Sequence, residues 1–163
     1  MNVTAPCGDY RICRRCVTGA NEYRYDYQDC CVGSALALVA HRYPVTIRGA
    51  ERTFHYEHDL EMTVFPGCSR PISCEDRQCA RVVYKGKGEH CLEIGSETIR
   101  VISKGNSLQF YQNRIRIAAA HTVSQSAAPS EEWEHRQLLR VYREIPGDTL
   151  LLLLSFPLLQ IWI

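Results

Sequence analysis

The chain has 163 residues, 45% of them hydrophobic, and a formal net charge of +1 at pH 7. This length predicts one domain with its own hydrophobic core, and the balanced charge argues against a dedicated nucleic-acid binder. Sixteen cations are Arg and three are Lys, and the Arg guanidinium suits bidentate contacts with carboxylate, sulfate or phosphate.

The N-terminal residues lack the basic and apolar segments of a signal peptide. Asn2-Val3-Thr4 nevertheless fits the N-glycosylation pattern, which has a meaning only in a secreted chain. The two observations agree if the sequence is a mature segment. We therefore expect an extracellular, secreted protein with no signal peptide visible in this chain. The alternative is a cytoplasmic or membrane-associated protein.

Short strands are predicted along the first half of the chain. Tyr and charged residues alternate over 22–27, an apolar run covers 35–39, and residues 44–48 alternate again. A longer stretch over 53–65 ends at a Pro-Gly turn. Residues 68–80 contain three cysteines and little apolar sequence, so a loop is predicted there.

More short strands follow at regular spacing, separated by Gly and Asn turns. They are predicted over residues 80–84, 98–102, 108–111 and 114–118. Regular short strands of this kind indicate an antiparallel barrel or sandwich. Residues 1–121 are therefore predicted to form a cysteine-rich β domain.

A linker is predicted over 122–130, followed by a helix over 131–145. Ser130 is suited to cap the start of this helix, and Pro146-Gly147 to end it. The predicted fold class is thus mainly β, an antiparallel barrel (OB-like) or a sandwich with one C-terminal helix.

An apolar tail occupies residues 149–163, with five consecutive leucines from Leu150 to Leu154 and Pro157 near its middle. A membrane-spanning helix needs about 20 apolar residues, more than this tail contains. Three interpretations stay open: a buried or interfacial core segment, a membrane anchor, and a non-native tail.

Nine cysteines lie in two groups, and this density indicates either disulfide bridges or metal ligation. Bridges are the first expectation, and since nine is odd, one thiol is left over or bonds to another chain. The predicted disulfide cysteines, of unknown connectivity, are Cys7, Cys13, Cys16, Cys30, Cys31, Cys68, Cys74, Cys79 and Cys91.

Two other kinds of sulfur chemistry are alternatives. Cys13 and Cys16 form a CxxC knuckle that, with Cys30, could supply thiolates to zinc. Cys30 or Cys31 could instead be a nucleophile, because each precedes an apolar run that could be helical, and a helix start lowers a thiol pKa. His55 and His58 would point to opposite faces of the predicted strand.

Several local features, taken in order, resemble the netrin-like domain. Cys13-x-x-Cys16 precedes an aromatic stretch, and Cys30 or Cys31 then opens an apolar strand. Three further features are similar to later parts of that family. They are the segment from Tyr56 to Gly67, the pair of segments Cys91-Leu92-x-x-Gly95 and Val101-Ile102-x-x-Gly105, and Trp133 at the start of a terminal helix.

The resemblance covers roughly residues 13–145 and implies an OB-type barrel that binds other molecules through loops and one barrel face. Metalloproteinase inhibitors of this family use an N-terminal cysteine amine. Cys7 and Cys13 are internal here, so that mechanism is not implied.

The leading prediction is a non-enzymatic, disulfide-stapled extracellular interaction module without a cofactor, which binds a protein or a sulfated glycan and no nucleic acid. Arg11, Arg14 and Arg15 are its predicted contact residues. A weak membrane contact through the C-terminal tail is a further expectation. The alternatives are an intracellular zinc-binding adaptor with a membrane-associating tail, and a cysteine hydrolase using Cys30 or Cys31.

Overall fold

A computed structural model of the protein describes residues 3–58, 63–123 and 132–161. The strands in those ranges are β1 Thr4–Ala5, β2 Gly8–Val17, β3 Ala20–Tyr27, β4 Cys30–Leu38, β5 Val45–Arg48, β6 Thr53–Tyr56, β7 Ser69–Cys74, β8 Arg77–Gly86, β9 Glu89–Ile94, β10 Glu97–Lys104, β11 Ser107–Gln112, β12 Ile115–Thr122, β13 Glu134–Val141 and β14 Ile145–Pro146. The helices are α1 Gly147–Leu154 and α2 Phe156–Leu159.

Strands β2 to β13 form a closed antiparallel barrel, in which each strand pairs with the next one along the chain. The barrel closes where β13 pairs with β2, so that Leu139 lies opposite Tyr10 and Val141 opposite Gly8. The predicted mainly β, antiparallel barrel is confirmed. Within the described ranges it has twelve strands, more than the five of an OB-fold.

The helix predicted over 131–145 is wrong, because residues 134–141 are strand β13. Leu139 and Val141 are buried while Arg140 between them is exposed, which is the period-two pattern of a strand. Pairing with both β12 and β2 stabilises this strand against the helical propensity of its sequence. The barrel therefore extends beyond residue 121. Most of the predicted linker, 124–130, lies outside the described residues.

The loop predicted over 68–80 is also wrong, because most of this segment is the β7–β8 hairpin. Arg70, Ile72 and Cys74 are buried on alternate positions of β7. Because Arg70 is not a typical core residue, the alternation did not stand out in the sequence. The predicted strands over 22–27 and 80–84 are confirmed as parts of β3 and β8, and the strand predicted over 44–48 is confirmed as β5 except at residue 44, which precedes it.

The barrel interior is filled by the C-terminal helices. Leu150 to Leu154 are all buried, as are Phe156 and Leu159. A helix that is apolar on every side is typical of a fully buried element. Pro146-Gly147 lies at the start of α1, where we predicted a helix end; Pro is also common at helix starts. The apolar tail is thus a core segment over the residues described.

Two glycines make room for the helix against the barrel wall. A Cβ atom added to Gly33 on β4, or to Gly49 after β5, would collide with the Leu151 side chain. At Gly33 the same Cβ would also lie 2.9 Å from the carbonyl oxygen of Arg48. Gly33 is therefore the stricter of the two positions, because the backbone carbonyl cannot move aside, whereas at Gly49 only the end of the Leu151 side chain would have to shift.

Polar contacts anchor the buried segment. The hydroxyl oxygens of Tyr25 and Ser155 lie 2.7 Å apart, and Tyr56 donates a hydrogen bond of 2.9 Å to the carbonyl of Leu159. The main-chain N–H of Ile161 donates to Nε2 of His90 over 3.1 Å. These bonds satisfy groups that burial would otherwise leave unpaired.

Candidate binding cleft at one barrel end

The three predicted contact residues all lie on β2, but they face different sides of the wall. Arg14 continues the inward-facing series of Tyr10 and Ile12, which are both buried. Arg11 and Arg15 therefore belong to the outer face. Arg14 lies at the barrel rim, since β2 ends at Val17. The sequence predicted these three contact residues but not that they lie on two different faces of the barrel wall.

The strand pairing brings three groups around Arg14. Tyr23 on β3 and Glu134 on β13 lie directly opposite it on either side. Nη2 of Arg14 lies 3.3 Å from one carboxylate oxygen of Glu134. Nη1 of Arg136 donates to the other oxygen over 2.9 Å. Glu134 therefore bridges two guanidinium groups at the rim.

These contacts shift the ionisation of the rim. The hydrogen bond from Arg136 is the main cause that holds the pKa of Glu134 below its ordinary value, with further contributions from the charges of both arginines. Burial raises the pKa of Tyr23, and the nearby Arg14 partly opposes that rise. At neutral pH the rim thus contains two cations, one carboxylate and a neutral phenol.

A cleft of about 170 Å³ opens beside these residues. Its polar lining consists of Arg14, Tyr23, Tyr25, Thr122, Arg136 and Gln137. Its apolar lining consists of Ile12, Leu154, Pro157 and Leu158. Because Ile12 and Leu154 are buried while Arg136 is exposed, the cleft is apolar inside and cationic at its mouth.

The outer face beside the rim carries a cation–π group that the sequence analysis did not predict. The guanidinium carbons of Arg15 and Arg24 lie 4.4 and 4.8 Å from the ring centre of Trp133. Arg15 also contacts the carboxylates of Glu22 and Glu132. The alternation of Tyr with charge along β3 was the available signal for Arg24. The sequence predicts that Trp133 lies in a helix, and strand β13, which begins at the next residue, instead brings it beside β2 and β3.

Arg11 is separate from this group. It is exposed on the outer face, opposite Asp26 in the β2–β3 register. Burial is the main cause that lowers the pKa of His135, and the positive charge of Arg11 lowers it further. We therefore define the arginine cluster as Arg15 and Arg24 at Trp133 on the outer face together with Arg14 and Arg136 at the adjoining rim, without Arg11.

A second cavity, of about 360 Å³, lies beside β6 and β7 and includes His55, His58 and Arg70 in its lining. Nε2 of His58 lies 2.8 Å from the carbonyl oxygen of Leu158, and its Nδ1 lies 3.0 Å from Nη1 of Arg70. Nε2–H therefore donates and Nδ1 accepts, which requires neutral imidazole. Burial, with the Arg70 charge, also lowers the pKa of His58. His58 here fixes the C-terminal segment, whereas His55 is exposed.

All nine cysteines have free thiols in this structure. Cys7, Cys16, Cys30 and Cys31 are exposed, whereas Cys13, Cys68 and Cys74 are buried. Cys79 and Cys91 are partly buried, and burial raises the pKa of both thiols. Disulfide pairing between any of these cysteines stays a prediction.

The alternative zinc ligands are not brought together. Cys16 pairs with Asn21 near one end of the β2–β3 hairpin, while Cys30 pairs with Tyr27 at the far end of β3. Over the described parts of the chain, no group of three or more His, Cys, Asp or Glu side chains is arranged to hold a metal ion.

The proposed activation of Cys30 or Cys31 is also not supported. Both thiols begin strand β4 rather than the helix that this activation requires. Cys31 Sγ instead lies 3.4 Å from the carbonyl oxygen of Gly33.

No family model, curated protein or solved structure matches this chain. Among the residues described, no helix has the length and apolar character needed to cross a membrane. The resemblance to the netrin-like domain therefore stays a prediction.

Proposed function

We propose that the protein is a non-enzymatic interaction module that binds a protein partner through acidic groups at the arginine cluster. The observation that carries this proposal is the placement of four arginines from three strands at one barrel end: Arg15 and Arg24 lie over the Trp133 ring on the outer face, and Arg14 and Arg136 line the adjoining cleft. Arg and Trp are enriched where protein partners bind most strongly. A rigid sheet also holds them in fixed positions.

The ion pairs already present there can exchange with those of a partner. Exposed pairs of this kind contribute only about 0–1 kcal/mol to stability. Glu132, which contacts Arg15, has a side chain that is 68% exposed. A partner carboxylate that is desolvated on binding can replace it at little cost to the fold.

The charge balance favours a protein over a sulfated glycan. Arg14 and Arg136 share Glu134, while Arg15 contacts Glu22 and Glu132. A sulfated glycan is a polyanion and needs a surplus of cations, as nucleic acids do. The partner is instead proposed to present one or two carboxylates beside apolar groups.

The native context proposed for this module is extracellular, with some of the nine cysteines in bridges. The support is the cysteine density itself and the placement of Cys7, Cys16, Cys30 and Cys31 on the surface. Bridges would constrain the unfolded chain, since the folded barrel already has a complete core.

A fluorescein-labelled array of acidic peptides with interspersed aromatic residues tests the proposal, with a heparin column in parallel. Arg15→Gln/Arg24→Gln should weaken peptide binding at least tenfold. The matched control Arg77→Gln/Arg114→Gln removes two exposed arginines from turns at the opposite barrel end and should leave binding unchanged. Equal losses of peptide affinity in the two double variants would overturn the assigned site. Retention on heparin at physiological salt without peptide binding would establish a glycan partner instead.

A further inference from the structure

We infer that the cleft binds the free C-terminal carboxylate and the apolar last side chain of a protein partner. This inference rests on the proposed function and names the chemical group that enters the site. It concerns the cleft between Arg14, Arg136 and the C-terminal helices, not the outer face at Trp133.

The size of the cleft limits what can enter. Its volume is about 170 Å³. Sites for drug-sized ligands measure about 300–1,000 Å³. A sugar chain or a nucleotide cofactor is therefore too large, whereas a carboxylate with a branched four-carbon side chain fits.

The mouth of the cleft can receive one additional negative charge. Arg14 and Arg136 both line it and share one carboxylate, that of Glu134. The Nε atom of Arg14 is buried and has no hydrogen-bond partner within the described residues. A guanidinium has five N–H donors, so each arginine can bind a second carboxylate. A dianion would meet repulsion from Glu134.

The inner part of the cleft is suited to an aliphatic side chain. Ile12 and Leu154 are buried there, and Pro157 and Leu158 of α2 complete the apolar wall. A chain terminus is the protein group that places a carboxylate and an apolar side chain on the same carbon atom. An internal Asp or Glu followed by Leu separates them by a peptide unit.

Two peptides with an uncharged body test the inference: acetyl-Gly-Ser-Gly-Ser-Gly-Leu as the free acid, and the same peptide as the C-terminal amide. Titration into ¹⁵N-labelled protein, followed by NMR, should shift the amide signals of Thr122 and Gln137, which line the cleft. The free acid should bind at least tenfold more tightly than the amide, because only the acid can pair with both arginines.

Arg136→Gln, at an exposed position, should weaken binding of the free acid at least fivefold while leaving the amide unaffected. Arg77→Gln is the matched control and should change neither. Equal binding of acid and amide, or no binding by either, would overturn this inference. If the acidic peptide array still binds through Arg15 and Arg24 in that case, the proposed function stands. If the array fails as well, both are overturned.

Discussion

The hydroxyl oxygens of Tyr25 and Ser155 lie 2.7 Å apart in the barrel interior, and both residues are fully buried. Burial raises the pKa of Tyr25, so the phenol is neutral and able to donate. Tyr25→Phe leaves the Ser155 hydroxyl without this partner and should cost about 1–3 kcal/mol in the free energy of unfolding. Urea denaturation measures this.

The double variant Tyr25→Phe/Ser155→Ala removes both hydroxyl groups and should recover part of that loss, since no buried polar group is then unpaired. If the double variant loses the sum of the two single effects, the two residues do not interact in the folded state.

The close approach of Leu151 to the barrel wall gives a second prediction. Gly33→Ala places a methyl group where the Leu151 side chain lies and should lower stability by about 1–3 kcal/mol through overpacking. Leu151→Ala alone should cost about 2–5 kcal/mol through the cavity that it leaves. In the combined variant the methyl group partly fills that cavity, so the total loss measured in urea should be smaller than the sum. If the stability losses of the two single variants simply add in the combined variant, the proposed contact between position 33 and Leu151 is contradicted.

Stability should fall as the solution becomes acidic, because the C-terminal segment is held by neutral histidines. Nε2 of His90 accepts the Ile161 N–H, and burial lowers the pKa of His90. The unfolded chain, with a His pKa of about 6.5, therefore binds this proton first. The contribution of His90 to the free energy of unfolding is fully present above about pH 6.5 and is lost as the pH falls below that value.

His90→Gln should give a shallower dependence of unfolding free energy on pH between 7.5 and 5, because the amide oxygen of Gln accepts the same hydrogen bond without titrating. Exposed His41→Gln is the matched control. Identical slopes for wild type and His90→Gln would exclude this role.

Most of the strands could be predicted because their residues alternate in the sequence, as the Tyr and charged residues of β3 do. The position of the C-terminal segment could not, since Leu150 to Leu154 are apolar in every direction and fit a membrane, a sheet core or a barrel interior equally well. Closure by β13 depends on its pairing with β2, a contact between distant parts of the chain that leaves no local signal.

The candidate site was predicted in part. Arg14 and Arg15 were named from the sequence as a surface patch, and the structure adds that adjacent positions on a strand face opposite sides of the wall. Arg136 and Trp133 had been assigned to a helix, so their approach to β2 could not be foreseen. The cleft itself needs Pro157 and Leu158, which come from the segment whose position was open.

The cysteines provide a fourth prediction. If the thiols are free in native material, iodoacetamide should label exposed Cys7, Cys16, Cys30 and Cys31 at least tenfold faster than buried Cys13, whose pKa is raised by burial. Peptide mapping by mass spectrometry gives the rates. If bridges are present, the intact mass should rise by about 2 Da per bridge on reduction, and the bridged thiols should label only afterwards.

The last prediction concerns Glu134, whose carboxylate occupies one hydrogen-bonding position on both Arg14 and Arg136. Under the proposed function this carboxylate competes with that of a partner. Glu134→Gln keeps the size of the side chain but removes its charge, so an acidic peptide should bind at least threefold more tightly. The gain should shrink as salt rises from 50 to 300 mM, because the added attraction is electrostatic.

Glu97→Gln, at an exposed position on β10, is the matched control and should leave affinity unchanged. Fluorescence anisotropy measures both, and weaker binding by Glu134→Gln would mean that Glu134 orients the arginines for the partner instead of competing with it.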